Sequence, residues 1–325
     1  MDTFRVAFAG TFPRTLAQPV KSRLNVACDV IQADEAEIVS RMADVDVLVT
    51  MAFTREMAGA AGRLKLVQVP GAGIDRIDRS ALGAGTWLAN AYGHDTGIAE
   101  YVIGAMLTLT REFGRLDAAL RRGIWASQWA VGVPPAPLWP ELAGRTVGIL
   151  GYGRIGQAVA RRARAFDMEV YGVRRDVARS AGDGFARVGG LELLDEMLSR
   201  SDYLVIALPA SPETRGLIGD KQLRAMKPGA CLINVSRAEI VDEEALYRAL
   251  AERTIMGAAL DVWYRYPAAP GTQLPANRPF HELPNVLMTP HVSGWTDGMM
   301  AARAEVIAEN IHRAVRGEPP INLIR

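Results

Sequence analysis

Three short stretches carry residues able to hold and move charge: Ser236-Arg237, Asp261 and Pro290-His291. Each stands at the end of an apolar run: 230–235, 258–262 and 285–289. Apolar runs of that length read as buried parallel strands. Residues far apart in sequence then meet at the carboxyl ends of neighbouring strands, where open α/β folds bind ligands. A guanidinium is always charged and grips a carboxylate through two parallel hydrogen bonds. An imidazole takes or gives a proton near neutral pH. Beside a nicotinamide, the pair Arg237 and His291 suits the interconversion of a hydroxy acid and an oxo acid. The alternatives are a solvated or structurally paired arginine and a histidine satisfied in core or surface. Of the four histidines, His94, His281, His291 and His312, position favours His291.

The element that must position a nicotinamide is the stretch 146–174. It opens with Val147-Gly148-Ile149-Leu150, turns through Gly151-Tyr152-Gly153-Arg154-Ile155-Gly156, and continues with Val159, Ala163 and Phe166 at helical spacing. It closes with Val170-Tyr171-Gly172-Val173. This strand–turn–helix–strand unit is the setting in which G-x-G-x-x-G binds a dinucleotide. Gly151 allows the tight turn, Gly153 lets backbone approach a pyrophosphate, and Gly156 lets helix and strand pack closely. The helix start offers N–H groups and a positive dipole end to phosphates.

Around this unit, apolar runs at 4–9, 45–49, 64–69 and 87–89, with a helical stretch near Glu35–Met42, predict a first small parallel sheet. The loop Pro70-Gly71-Ala72-Gly73-Ile74-Asp75 follows one of those strands. It is either a backbone cradle for a substrate carboxylate, centred on Ala72 and Gly73, or a simple turn. Residues 98–107 read as a helix apolar nearly all round, hence buried, and expected between two domains. Runs at 203–209, 230–235, 258–262 and 285–289 extend a second doubly wound sheet, with a helix at 243–251. An amphipathic helix covers 298–317. The proline- and tryptophan-rich stretch Trp125–Trp139 is too apolar for a flexible linker; it reads as an arm packing on a second subunit, or as an irregular loop on its own domain.

Composition narrows the partners. A net charge of +1 over 325 residues gives no reason to expect nucleic acid or a membrane surface. Cys28 and Cys231 are far apart without metal-ligand spacing, so neither a metal site nor a disulfide scaffold is expected, and Cys231 reads as core. A reducing compartment such as the cytoplasm fits. The start, MDTFRVAFAG, lacks a secretory pattern, and no run has the length of a membrane span.

Four motifs in order, GYGRIGQAVARRARAF, INVSRAEIVDEEAL, GAALDV and MTPHVSG, resemble the D-isomer-specific 2-hydroxyacid dehydrogenases. That family includes phosphoglycerate, glyoxylate/hydroxypyruvate, formate and phosphite dehydrogenases. The resemblance covers nearly the whole chain. It implies a Rossmann nucleotide domain, residues 98–291, inserted into a flavodoxin-like substrate domain made of residues 1–97 and 292–325. It also implies a homodimer with 125–139 at the interface. Arg237 matches the substrate-clamping arginine and His291 the acid/base histidine. Arg154, Ile155, Leu208, Pro209, Thr214, Ser236, Asp261 and Gly294 match cofactor contacts. The family's carboxylate partner of the histidine falls on Tyr266, in Asp261-Val262-Trp263-Tyr264-Arg265-Tyr266-Pro267. A tyrosine bonds an imidazole but brings no negative charge near neutral pH, so the histidine should hold its proton less tightly. Formate dehydrogenases also lack that glutamate. NAYGHDTGIAEYV is similar to the formate-type loop in which an asparagine contacts substrate; here that position is His94, a pocket residue or an exposed loop histidine. Phe53 and Trp295 are further candidates for shaping the pocket.

NAD-specific members carry an acidic residue at the end of the second nucleotide-domain strand. Here Arg174 and Arg175 stand there, with Asp176 following. Arginines can pair with a 2′-phosphate, so NADP(H) is favoured, with NAD(H) the alternative. The expected activity is hydride transfer between nicotinamide and a small D-2-hydroxy or 2-oxo acid. The alternatives are a formate- or phosphite-type dehydrogenase and a dinucleotide-sensing homologue without turnover.

Overall fold

A computed structural model describes residues 3–127, 129–134, 137–177 and 186–324. Parts of the 125–139 stretch therefore lie outside the described residues. By its contacts the chain divides into two units, residues 1–94 with 295–325, and residues 95–294.

The first unit holds strands β1 (Phe4–Ala9), β2 (Cys28–Ala33), β3 (Val47–Thr50), β4 (Leu66–Gln68) and β5 (Trp87–Ala89). All pairings are parallel, in the order β2-β1-β3-β4-β5. That is the flavodoxin-like order. Helix α1 (Thr11–Lys21) and the long terminal helix α9 (Asp297–Arg316) cover one face around Phe8, Leu16, Val49 and Ile307. Helix α2 (Arg55–Ala60) and a 3-10 turn at Ile38–Asp44 cover the other, around Leu48, Met42 and Phe53. Two expectations change here. The helix near 35–42 is a tight 3-10 segment three residues later. The sequence reading also had no element over 11–21 or 28–33. Pro13 and Pro19 interrupt the helical pattern of α1, and β2 is an edge strand, only half-buried for most of its length.

The second unit begins with α3 (Asp95–Arg111) and α4 (Phe113–Leu120) and holds a seven-stranded parallel sheet. Its strands are β6 (Thr146–Leu150), β7 (Glu169–Val173), β8 (Arg187–Gly189), β9 (Tyr203–Ile206), β10 (Cys231–Asn234), β11 (Gly257–Leu260) and β12 (Val286–Met288). Helices α5 (Arg154–Ala165), α6 (Leu194–Arg200), α7 (Asp220–Ala225) and α8 (Glu243–Ala251) connect them. The order β12-β11-β10-β9-β6-β7-β8 reverses direction between β6 and β9, as in the Rossmann arrangement. Cores lie on both faces, as a parallel sheet requires. Helix α3 buries Ile98, Ala99, Val102 and Met106 against α5 and the sheet.

Candidate active site

The turn after β6 is built by its glycines. Gly151 has φ +109°, a region disfavoured for other residues, and a Cβ there would collide with the backbone of Ala207 and Leu208 after β9. A Cβ on Gly156 would strike the Gly151 carbonyl. This holds the start of α5 against the point where the strand order reverses. At Gly153, by contrast, nothing lies within 4 Å of where a Cβ would stand. The N-cap of α5 has no side chain accepting from its first N–H groups. An open backbone cradle at an uncapped helix start is what a pyrophosphate requires, so the residues present fit a dinucleotide. Arg154 is exposed and Ile155 half-buried at the same helix start.

Arg174 follows β7 and is half-buried; its N–H donates to the Gly189 carbonyl (3.0 Å). Arg175 is exposed, and its charge helps hold Glu213 below the ordinary carboxylate range, behind the Ser211 hydroxyl that is the main cause. Glu213 belongs to the loop after β9. In that loop the Thr214 hydroxyl donates to the Pro209 carbonyl (3.1 Å) and accepts from the Ser211 N–H (2.7 Å), so it closes its own turn. The Ser236 hydroxyl donates to the Leu208 carbonyl, joining the loops after β9 and β10.

Arg237, Asp261 and His291 follow β10, β11 and β12, which are adjacent and parallel. They therefore stand along one edge of one sheet. The Arg237 Nη1 donates to the Ser236 carbonyl (2.8 Å), and Asn234 Nδ2 to the Arg237 carbonyl (3.0 Å). Asp261 is fully buried and organises the histidine loop. Its Oδ1 accepts from the Thr289 hydroxyl (2.6 Å) and the Val292 N–H (2.9 Å), and its Oδ2 from the Ser293 N–H (2.9 Å). Tyr101, on α3, donates to the Thr289 hydroxyl (2.7 Å), and Trp263 Nε1 to the Thr289 carbonyl (2.8 Å). So pinned, His291 takes a left-handed backbone, φ 58°. Gly294 is half-buried two residues after Val292.

Tyr266 OH lies 2.8 Å from His291 Nδ1 and accepts from the Trp263 N–H (3.3 Å). Loss of hydration keeps its phenol above the ordinary value, hence neutral. A phenol can donate to an unprotonated Nδ1 or accept from a protonated one, so it orients the ring in either state. The His291 pKa is lowered, first by loss of hydration and further by Arg237, with Asp261 opposing. The guanidinium is thus close enough to act on both Tyr266 and His291.

In the first unit, Asn90 Nδ2 donates to the Ala72 carbonyl (2.9 Å) and the Ala91 N–H to the Gly71 carbonyl (3.2 Å), tying the 70–75 loop to the segment leading to His94. Ala72, Gly73 and His94 are half-buried, and Phe53 is core. His94 Nδ1 lies 3.2 Å from Arg303 Nη2 on α9, a residue the sequence reading missed because it sits mid-helix outside any motif. The remaining histidines are structural or superficial. His312 is buried and accepts from the Asn25 N–H (3.2 Å), and His281 is exposed in a short turn. The Cys231 thiol is pushed up to about 12 by burial and is inert. Among the described residues no cluster of three His, Cys, Asp or Glu could hold a metal, and no helix is long and apolar enough to cross a membrane.

Comparison with known proteins agrees with this arrangement. The family described as D-isomer specific 2-hydroxyacid dehydrogenase, NAD binding domain, matches residues 103–293. Glyoxylate reductase of Thermofilum pendens is 34% identical over 325 residues, covering 96% of this chain and 92% of that protein. D-3-phosphoglycerate dehydrogenase of Methanocaldococcus jannaschii is 34% identical over 89% of this chain, which spans about half of that relative (53%). A D-isomer specific 2-hydroxyacid dehydrogenase family protein of Aeromonas salmonicida superposes with a TM-score of 0.83 at 27% identity, covering 100% of this chain and 99% of that one. With the two sheet orders and the strand-end residues already described, these matches make the chain a member of the D-isomer specific 2-hydroxyacid dehydrogenase family, a nicotinamide-dependent oxidoreductase.

Proposed function

We propose that the chain interconverts a small D-2-hydroxy acid and its 2-oxo acid, with Arg237 holding the carboxylate and His291 handling the proton. The observation that carries this reading is the adjacency of the two groups on one sheet edge, with the Arg237 charge felt at His291. A nicotinamide, when bound, supplies or receives the hydride at the substrate's second carbon. Residues Gly151, Gly153, Arg154, Ile155 and Gly156 would hold its pyrophosphate; Leu208, Pro209, Thr214, Ser236, Asp261 and Gly294 would line its remainder. Ala72 and Gly73 would offer backbone N–H groups to the carboxylate. In reduction, protonated His291 gives its proton to the oxygen of the former carbonyl; in oxidation, neutral His291 removes it from the hydroxyl. Tyr266 keeps the ring in place through both states, and its lack of charge favours the neutral one.

Arg174 and Arg175, with no carboxylate at the position between strand and loop, support NADP(H) over NAD(H). Homodimerisation is supported by the exposed apolar side chains of α4 and the following stretch. Phe113, Leu120, Ile124 and Trp125 are about half exposed, and Trp129 is 83% exposed. Faces of this kind mark interaction sites. A cytoplasmic location fits the two free cysteines. The uncharged partner of His291 keeps a second reading open, oxidation of formate or phosphite. A screen of 2-oxo acids, formate and phosphite with both cofactors, read by nicotinamide absorbance, decides between them. Reduction of a 2-oxo acid supports the first reading; turnover of formate or phosphite alone supports the second.

A further inference from the structure

His291 has a backbone that its surroundings must maintain. Its φ of 58° lies in the left-handed region, which residues with a side chain avoid unless neighbouring structure over-determines them. Thr289, two positions earlier, supplies much of that constraint. Its N–H donates to the Leu260 carbonyl (3.0 Å), and its carbonyl accepts from Trp263 Nε1 (2.8 Å) and from the His291 N–H (3.1 Å). Its hydroxyl lies 2.6 Å from Asp261 Oδ1 and 2.7 Å from the Tyr101 hydroxyl. The proton count fixes the direction of this chain. A threonine hydroxyl has one proton and a carboxylate none, so Thr289 donates to Asp261 and Tyr101 donates to Thr289. Tyr101 sits on α3, and its ring packs on the core that α3 shares with α5 and the sheet. Burial pushes its phenol up to about 12, so it keeps the proton it donates. The chain thus runs from a helix packed on α5 to the carboxylate that also receives the Val292 and Ser293 N–H groups. Every member lies in the second unit.

We propose that Tyr101 is a positioning residue for His291, acting through Thr289 and Asp261. This rests on the 2-hydroxyacid dehydrogenase reading and adds to it a group on α3 that orients the proton carrier. Hydrogen bonds in series polarise one another. The Tyr101 donor strengthens the Thr289 bond to Asp261 and so draws charge from the carboxylate. The titratable and charged groups that act on His291 are Arg237 after β10, Asp261 after β11 and Tyr266 in the loop beyond it. Among them Asp261 is the one whose charge favours the imidazolium. Without the Tyr101 hydroxyl, Asp261 turns more of its charge on the ring, and a looser 289–293 loop admits more water to it. Both changes raise the His291 pKa toward its ordinary value, while the ring loses its fixed aim.

The test uses Tyr101→Phe, which keeps the ring and removes only the hydroxyl, Thr289→Val, which keeps the shape without the hydroxyl, Thr289→Ser, which restores it, and the double variant Tyr101→Phe/Thr289→Val. Thermal unfolding establishes that each is folded. Reduction of glyoxylate with NADPH is followed on the low-pH plateau, where His291 is protonated in every variant. Tyr101→Phe should lower kcat by about tenfold with KM unchanged. Thr289→Val should lower it at least as far, and Thr289→Ser should recover most of the loss. Adding Tyr101→Phe to Thr289→Val should cost nothing more; additive losses would mean that Tyr101 does not act through Thr289 and would overturn the proposal, as would an unchanged kcat in Tyr101→Phe. The second readout needs no turnover. The His291 ring signals, assigned by their absence from His291→Gln, are titrated by NMR. Their midpoint should move up toward 6.5 in Tyr101→Phe; a purely structural tyrosine would lower thermal stability and leave the midpoint in place, which overturns the proposal. If glyoxylate and other 2-oxo acids are not reduced at all, the functional reading fails on its own, and the titration still decides the role of Tyr101.

Discussion

His291 and His94, one in each unit, both place Nδ1 against a partner, and the partners differ in kind. At His291 it is a neutral phenol that can give or take a proton in the hydrogen bond, beneath a loop braced by the buried Asp261. At His94 it is a buried guanidinium that can only donate. The first ring is free to change protonation state without losing its support, as a group that moves protons must be. The second faces a group that can only donate to its Nδ1. At His291 the partner brings no negative charge that would hold the ring protonated. The contrast teaches that the same residue type meets a partner that can give or take a hydrogen bond in one unit and a partner that can only give one in the other.

The sharpest way to break the comparison is His291→Gln. Loss of a general acid–base should cost about 10²–10⁴-fold in kcat while cofactor binding, measured by fluorescence titration, is retained. An active variant would remove His291 from the chemistry. Arg237→Ala should lower kcat/KM by about 10²–10³-fold; steady-state kinetics with a saturating cofactor would check it, and a loss below tenfold would leave carboxylate binding to other groups. Asp261→Ala strands the Thr289, Val292 and Ser293 donors and should cost about 3 kcal/mol of stability in denaturant unfolding. No change in stability would mean the histidine loop is braced elsewhere. Replacing both Arg174 and Arg175 by alanine should weaken NADPH relative to NADH by about 10-fold. Equal effects on both cofactors would dissociate these residues from a 2′-phosphate.

Much of the active-site frame was legible because its signals are local. The glycine turn needs φ and close-packing that only its spacing provides, and the apolar runs before Arg237, Asp261 and His291 announce buried strands. Parallel strands then force their carboxyl ends to one edge. What stayed hidden depends on contacts between distant positions. Asp261 carries no mark in the sequence that its carboxylate is spent on residues 289–293. The four histidines are indistinguishable by type; His312 is settled by an N–H from Asn25 and His94 by a guanidinium more than two hundred residues later. Arg303 reads as one more basic residue on an amphipathic helix, and only the fold reveals that it is buried with its Nε–H unpartnered among the described residues. The prolines of α1 obscured a real helix for the converse reason, since packing against α9 overrides local propensity.

The most direct test of the central claim is the pH dependence of reductive kcat/KM in the wild type and in Tyr266→Glu. The donor must be protonated, and the His291 pKa is lowered, so wild-type reduction should decline as pH rises through a value below the ordinary 6.5 of histidine. A carboxylate at position 266 favours the imidazolium and should move that limb to higher pH. A limb that stays in place in Tyr266→Glu, or a wild-type rate indifferent to pH in this range, would contradict the account of His291 as the proton carrier held by a neutral phenol.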